Sequence, residues 1–298
     1  MEIGRLLTAM VTPFDANGAV DYGQAKRLAL ALLDSGSDGV VLAGTTGESP
    51  TLSHEEKMRL FSEVKDAIGS RGAVVAGTGT YDTAESVELS REAERLGVDA
   101  VLLTCPYYSR PSQEGLYRHF ETIVRAVSLP CIMYNIPSRT GVNMTAETQV
   151  RLSQIDNMVG VKEASGDLAQ IAQIVEEARE DFRVWSGDDQ MTLPILAIGG
   201  YGSISVVSHL AGAQMRQIVQ SYLSGNVDES AGIHRRLVPL MTVLMTAAGN
   251  PPGVKHALGG VGFNAGKPRL PLVAPDEAAG EQIMAEVRRQ RIDLAVAV

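Results

Sequence analysis

Cysteine is almost missing: Cys105 and Cys131 are the two thiols in 298 residues. Two thiols make no disulfide framework and suit a reducing compartment. Aromatic residues are 5 % of the chain, too few for the stacking platforms that grip single-stranded nucleic acid. No run of positive charge interrupts a net charge of −9, so a nucleic-acid partner has no electrostatic footing. No apolar stretch approaches the roughly 20 residues a membrane span needs. The first residues run quickly into Thr12-Pro13-Phe14-Asp15 without the apolar core and small-residue cleavage site of a signal peptide, so the cytoplasm is the expected location. The five histidines show no His-x-His or His-x-x-x-His spacing, and Asp188-Asp189 alone is a thin ligand set. No metal or other cofactor is expected.

What the chain does have is core material, with 45 % hydrophobic and 20 % charged residues. Short apolar, β-branched runs recur at 6–12, 39–44, 73–79, 100–105, 131–136, 159–164, 182–186 and 202–207. Their continuous apolar character suits parallel strands covered on both faces. Helical patterns alternate with them at 22–33, 55–68, 86–96, 114–127, 146–153, 168–178 and 191–198. Ser53-x-x-Glu56 reads as a capping box, Asp82-x-x-Glu85 as a second helix start, and Gly97 as a helix terminator. Eight such units predict an α/β fold, a (β/α)8 TIM barrel, over 1–209. Further helices at 211–224, 227–248 and 277–291 predict a C-terminal helical extension over 210–298. A dinucleotide fold is set aside because no glycine fingerprint follows the first strand.

Chemistry in such a barrel sits where strands end. Lys162 is the first anomaly, an amine inside the apolar run Val159-Gly160-Val161-Lys162-Glu163-Ala164. Alternation puts it on one face with Gly160 and Ala164. Two readings stay open. Facing the barrel interior, it is a desolvated amine nucleophile; otherwise it reaches solvent or pairs with Glu163. The fifth strand ends Tyr134-Asn135-Ile136-Pro137-Ser138-Arg139, offering a proton carrier and a carboxylate clamp, or an interior tyrosine and a solvated arginine. Gly44-Thr45-Thr46-Gly47-Glu48-Ser49 presents hydroxyls in a glycine-flanked turn. Gly199-Gly200-Tyr201-Gly202 reads either as a phosphate cradle or as tight-turn punctuation.

Gly44-Thr45-Thr46-Gly47-Glu48, Tyr134 through Gly141 and Gly160-Val161-Lys162-Glu163-Ala164, taken in that order, resemble the dihydrodipicolinate synthase family within the N-acetylneuraminate lyase superfamily. The likeness extends to Pro106-Tyr107-Tyr108-Ser109-Arg110 and Ser186-Gly187-Asp188-Asp189. It implies pyruvate and L-aspartate 4-semialdehyde as substrates and a homotetramer built as a dimer of dimers. By this resemblance Lys162 is the Schiff-base lysine, and Thr45, Tyr134 and Tyr108 form a proton relay in which Tyr108 reaches into a neighbouring subunit. Arg139 receives the carboxylate of the aldehyde, and Thr46, Gly187 and Ile204 line the pocket. Sugar-acid aldolases of the superfamily share the lysine and tyrosine. Ser138-Arg139-Thr140-Gly141 favours the synthase, because a cation there suits a short carboxylate-bearing aldehyde. A non-catalytic barrel used for binding is the reading from a different class. The resemblance also implies a lysine-effector site, matched by Ser49, His54, Glu85 and Tyr107. Pro50, Lys57 and Tyr81 depart from that pattern, and Lys57 adds a cation where a cationic effector would bind.

Overall fold

A computed structural model describes residues 3–295. Eight strands close into a parallel barrel in chain order: β1 (Leu6–Ala9), β2 (Gly39–Leu42), β3 (Ala73–Gly77), β4 (Ala100–Thr104), β5 (Cys131–Asn135), β6 (Met158–Glu163), β7 (Arg183–Ser186) and β8 (Gly202–Ser205). β8 pairs with β1, with Ile204 opposite Leu7. All the strands but β7 are shorter at their C-terminal ends than the apolar runs predict. Beyond β2, Ala43 turns to a positive φ of 49°; beyond β3, Thr78 and Gly79 both donate to the Leu102 carbonyl. Their last residues leave the ladder and build the rim.

The ring of helices is α1 (Tyr22–Asp34), α2 (His54–Ile68), α3 (Thr83–Arg95), α4 (Gln113–Val124), the short α5 (Pro137–Thr140), α6 (Ala146–Ser153), α7 (Leu168–Glu177), α8 (Thr192–Ala197) and α9 (Ser208–Leu223). The capping box on α2 forms as the sequence predicts, with the Ser53 side chain accepting from the Glu56 amide and the Glu56 carboxylate accepting from the Ser53 amide. Asp82 caps α3 as its spacing predicts, accepting from the Glu85 amide, so the helix starts ahead of the 86–96 periodic pattern. Gly97, at φ 75°, follows that helix. α9 packs against α1 and β1 and so completes the ring. The expected division after residue 209 falls inside it, close to a kink at Ala211. α10 (Val227–Thr246), α11 (Pro252–Gly260) and α12 (Glu277–Arg289) pack on one another outside the ring. No helix among the described residues is long and apolar enough to cross a membrane.

Two apolar clusters hold this together. The larger lies between the strands and the helices. The smaller fills the barrel, with Leu7, Val41, Val75, Leu102, Ile132, Trp185 and Ile204 facing one another. Its floor is Trp185, stacked edge-on against Tyr201 at 5.1 Å and donating from Nε1 to the Gly4 carbonyl at 3.0 Å. Gly160 is required by that floor, since a Cβ there would lie 2.5 Å from Trp185 Cζ3 and 2.3 Å from the Arg183 carbonyl oxygen. The glycines at 199 and 200 precede β8, at the barrel's N-terminal end. A side chain on either would press into Val175 or Ile195. The phosphate-cradle reading fails there, because these glycines are packed turn residues on the face away from the rim.

Candidate active site

Ladder register brings the site together. Tyr134 of β5 stands opposite Lys162 of β6, and Lys162 opposite the interior Trp185 of β7. Lys162 therefore points into the barrel with the faces of Gly160 and Ala164, and is 5 % exposed. Its Nζ sits 4.3 Å from the centroid of the Tyr134 ring. Burial pulls its pKa down to about 8, Asp189 opposes that drop, and Arg139 adds to it. The pairing of Lys162 with Glu163 does not occur. Glu163 faces the opposite side of the sheet, where Asn135 Nδ2, Gln149 Nε2 (2.9 Å) and the Ser165 amide (2.8 Å) donate to its carboxylate.

Tyr134 is buried, and burial pushes its hydroxyl up to about 12. Arg139 and a hydrogen bond with Thr45 pull the other way. Thr45 also lines a rim cavity of about 320 Å³ that it shares with Glu48, Thr104, Tyr107, Arg139 and Asn250. Thr45 thus joins the buried Tyr134 hydroxyl to the rim cavity. A more open cleft of about 900 Å³, bordered by Asp15, His256 and Lys267, holds none of these groups. Gly187 leaves room for the lysine stem: a Cβ there would come within 3.1 Å of Lys162 Cγ and 2.9 Å of Ala164 Cβ. Ile204 is buried in the interior cluster with Tyr134. Arg139 lies on α5, which starts at Pro137 and is stopped after Thr140 by the C-cap Gly141 (φ 75°). Its Nη2 donates to the Asn250 carbonyl at 3.4 Å.

Tyr108 stands apart from this group. It is 95 % exposed, with φ 71°, and its side chain reaches no part of the site in its own chain. Four non-glycine residues with positive φ, Ala43, Glu48, Tyr108 and Arg110, all lie just beyond β2 and β4, so the unusual backbone of the described residues is concentrated at this rim. Of the residues matched to an effector site, Ser49 and Tyr107 line the rim cavity. Tyr107 packs edge-on against Tyr81 at 5.2 Å. The His54 ring pairs with Glu92 at 2.8 Å. Glu85 acts electrostatically on the buried Lys57.

Sequence reasoning misses two contributors. Asn250, in the corner between α10 and α11, donates from Nδ2 to Thr46 Oγ1 at 2.8 Å. Asp189 accepts from the Val206 and Val207 amides at 2.9 and 2.8 Å and fixes the end of β8. Asn250-Pro251-Pro252 carries a turn signal that marks a break but not a partner. Among the described residues no group of acidic, histidine or cysteine side chains could hold a metal ion. Cys105 and Cys131 are both buried and free.

The profile of the dihydrodipicolinate synthetase family matches residues 2–290. A 4-hydroxy-tetrahydrodipicolinate synthase of Dehalococcoides mccartyi is 55 % identical over 295 residues, 99 % of each chain. A solved dihydrodipicolinate synthase from Bacillus anthracis is 41 % identical and superposes with a TM-score of 0.95, covering 97 % of this chain and 99 % of its own. Another, from Cyanidioschyzon merolae with lysine bound, is 42 % identical with a TM-score of 0.94, covering 96 % and 97 %. A match along almost the whole length, in sequence and in barrel geometry alike, settles the relationship: the chain belongs to the dihydrodipicolinate synthetase family.

Proposed function

We propose that the chain condenses pyruvate with L-aspartate 4-semialdehyde through an imine on Lys162. The neutral amine attacks the pyruvate carbonyl carbon and water leaves. The protonated imine then draws electrons, a methyl proton departs, and the resulting enamine carbon attacks the aldehyde. The amine of the aldehyde substrate next closes on the imine carbon and expels Lys162, giving the cyclic product. Tyr134 and Thr45 carry protons between the reacting atoms and the rim, Arg139 receives the aldehyde's carboxylate as a bidentate partner, and Thr46, Gly187 and Ile204 shape the pyruvate pocket. The observation that supports this most is the buried Lys162 ammonium, without an ion-pair contact, against the Tyr134 ring, with its pKa brought down to about 8.

Tyr108 belongs to the same relay from a neighbouring subunit, which accounts for a tyrosine held 95 % exposed on a positive-φ turn at the rim. The assembly is a homotetramer, a dimer of dimers, and its place is the cytoplasm, in keeping with two buried free thiols. Ser49, His54, Glu85 and Tyr107 mark the place of an amino-acid effector site whose fit Pro50, Lys57 and Tyr81 impair. The test of the reaction is trapping: pyruvate with borohydride should add one reduced pyruvyl group to the peptide carrying Lys162. Adding the aldehyde should consume pyruvate in the untrapped enzyme. A label on another lysine, or none, would sink the proposal.

A further inference from the structure

Lys255 lies on α11, outside the barrel ring, and borders the cleft of about 900 Å³ but not the rim cavity. Its Nζ nevertheless meets Glu48 Oε1 at 2.6 Å, with the two side chains 2 % and 1 % exposed. The other Glu48 oxygen accepts from the Arg269 amide at 2.8 Å. Both cations lie over the Phe14 ring, with Lys255 Nζ 4.0 Å and the Arg269 guanidinium 4.4 Å from its centroid. Glu48 holds an αL backbone, φ 57°, a conformation a glutamate adopts only when its surroundings impose it. That backbone closes the turn bearing Thr45 and Thr46. The Glu48 amide donates to the Thr45 carbonyl at 3.1 Å, and the Ser49 amide to the Gly44 carbonyl at 3.2 Å. The corner that carries Lys255 also sends Asn250 to Thr46.

Resting on the reaction proposed above, we infer that Lys255 is a positioning residue: its buried ion pair with Glu48 holds the turn that aims Thr45 at Tyr134. A carboxylate enclosed this completely cannot keep its place once its counter-charge is gone. Glu48 would then be pushed toward water, and the turn it closes would go with it. Thr45 would lose its register with the Tyr134 hydroxyl, while Lys162, on the far side of the barrel, would keep its own surroundings.

The experiment is a double-mutant cycle on the full-length enzyme. Lys255→Met should lower kcat by about 10²-fold, the scale of a misplaced catalytic group, with trapping of pyruvate on Lys162 still stoichiometric. In a Thr45→Val background the same substitution should cost almost nothing more, because the residue it acts through is already gone. If Lys255→Met fails to fold, Glu48→Gln with Lys255→Met removes both charges and enters the cycle in its place. Unchanged kcat, or equal fractional losses with and without Thr45, would overturn the assignment and leave Lys255 a purely structural residue. A wild-type enzyme that does not turn over the two substrates would instead fail the proposed reaction, before any variant is compared.

Discussion

Lys162 and Lys255 are almost equally buried, at 5 % and 4 % exposure, and they have opposite surroundings. Burial lowers the pKa of both. At Lys255 the Glu48 carboxylate, 2.6 Å away, opposes the drop and keeps the cation. At Lys162 no carboxylate is in contact. The opposing charge is Asp189, whose oxygen is engaged by the Val206 and Val207 amides, and Arg139 pushes further down. A buried lysine with a partner is a fastener; one without a partner is a reagent, because part of its population is already the neutral amine a carbonyl needs. Glu163, next to Lys162 on the same strand, makes the point again. It is equally enclosed, yet its oxygens are met by Asn135, Gln149 and Ser165, so it is satisfied and serves to lock the strand.

The sharpest way to break this comparison is to remove the reagent. Lys162→Met should abolish both turnover and the trapped adduct, and should also make the protein more stable at neutral pH. The sign follows from linkage. With a folded pKa of about 8 against 10.5 unfolded, both states carry the proton below pH 8, and the full burial cost is present there. As pH rises from about 8 to 10.5 the unfolded chain holds more protons than the folded one, so stability increases and the cost is relieved. That cost is about 3 kcal/mol, which should appear as a gain of several degrees in Tm for Lys162→Met at pH 7 that disappears above pH 10. An equal Tm in wild type and variant at pH 7 would mean that Lys162 is better compensated than its contacts indicate. For the same reason the rate of imine formation in the wild type should rise with pH and level off above about 8.

Smaller effects separate proton transfer from binding. Tyr134→Phe keeps the ring over Lys162 Nζ and removes the hydroxyl, so kcat should fall about 10²-fold while pyruvate still traps. Arg139→Ala should raise the KM for the aldehyde about 10- to 100-fold, the worth of lost charge-assisted hydrogen bonds, with little change in the KM for pyruvate. Normal aldehyde binding in that variant would rule out the clamp.

How much of this was legible beforehand depends on the range over which each signal acts. The order of the eight strands and the helix starts at Ser53 and Asp82 are local patterns, and they fold as read, while most strands end sooner at the rim. Lys162 stood out because one charge in an apolar run is visible without any tertiary knowledge. α5 and α11 were missed. The first is four residues long, and the second opens on Pro251-Pro252, which reads as a break although proline at the first turn is a helix start. The Glu48–Lys255 pair and the Asn250 bond to Thr46 join distant parts of the chain, and no spacing rule connects them. Gly199-Gly200 misled in the other direction, since glycine demanded by packing and glycine demanded by a phosphate look alike until the face they occupy is known.

A third buried lysine gives the smallest expected effect. Lys57 of α2 is 7 % exposed; burial lowers its pKa and Glu85 opposes the drop, but from farther off than the Glu48 carboxylate that touches Lys255 at 2.6 Å. The effector proposed for this place is an amino acid such as L-lysine. An effector of that kind brings a second ammonium that needs acceptors, and here Glu85 already has a tethered cation as its neighbour. Two such charges repel by about 4 kcal/mol at about 4 Å for an effective dielectric of about 20, less once water screens them. The Tyr81 ring packed against Tyr107 takes up space beside the same group. L-lysine at millimolar concentration should therefore inhibit weakly or not at all in the pyruvate and aldehyde assay. Lys57→Ala should make inhibition appear if the tethered ammonium is what excludes the free one. Sub-millimolar inhibition of the wild type would show that Lys57 turns away from the effector and behaves as a fastener rather than a competitor.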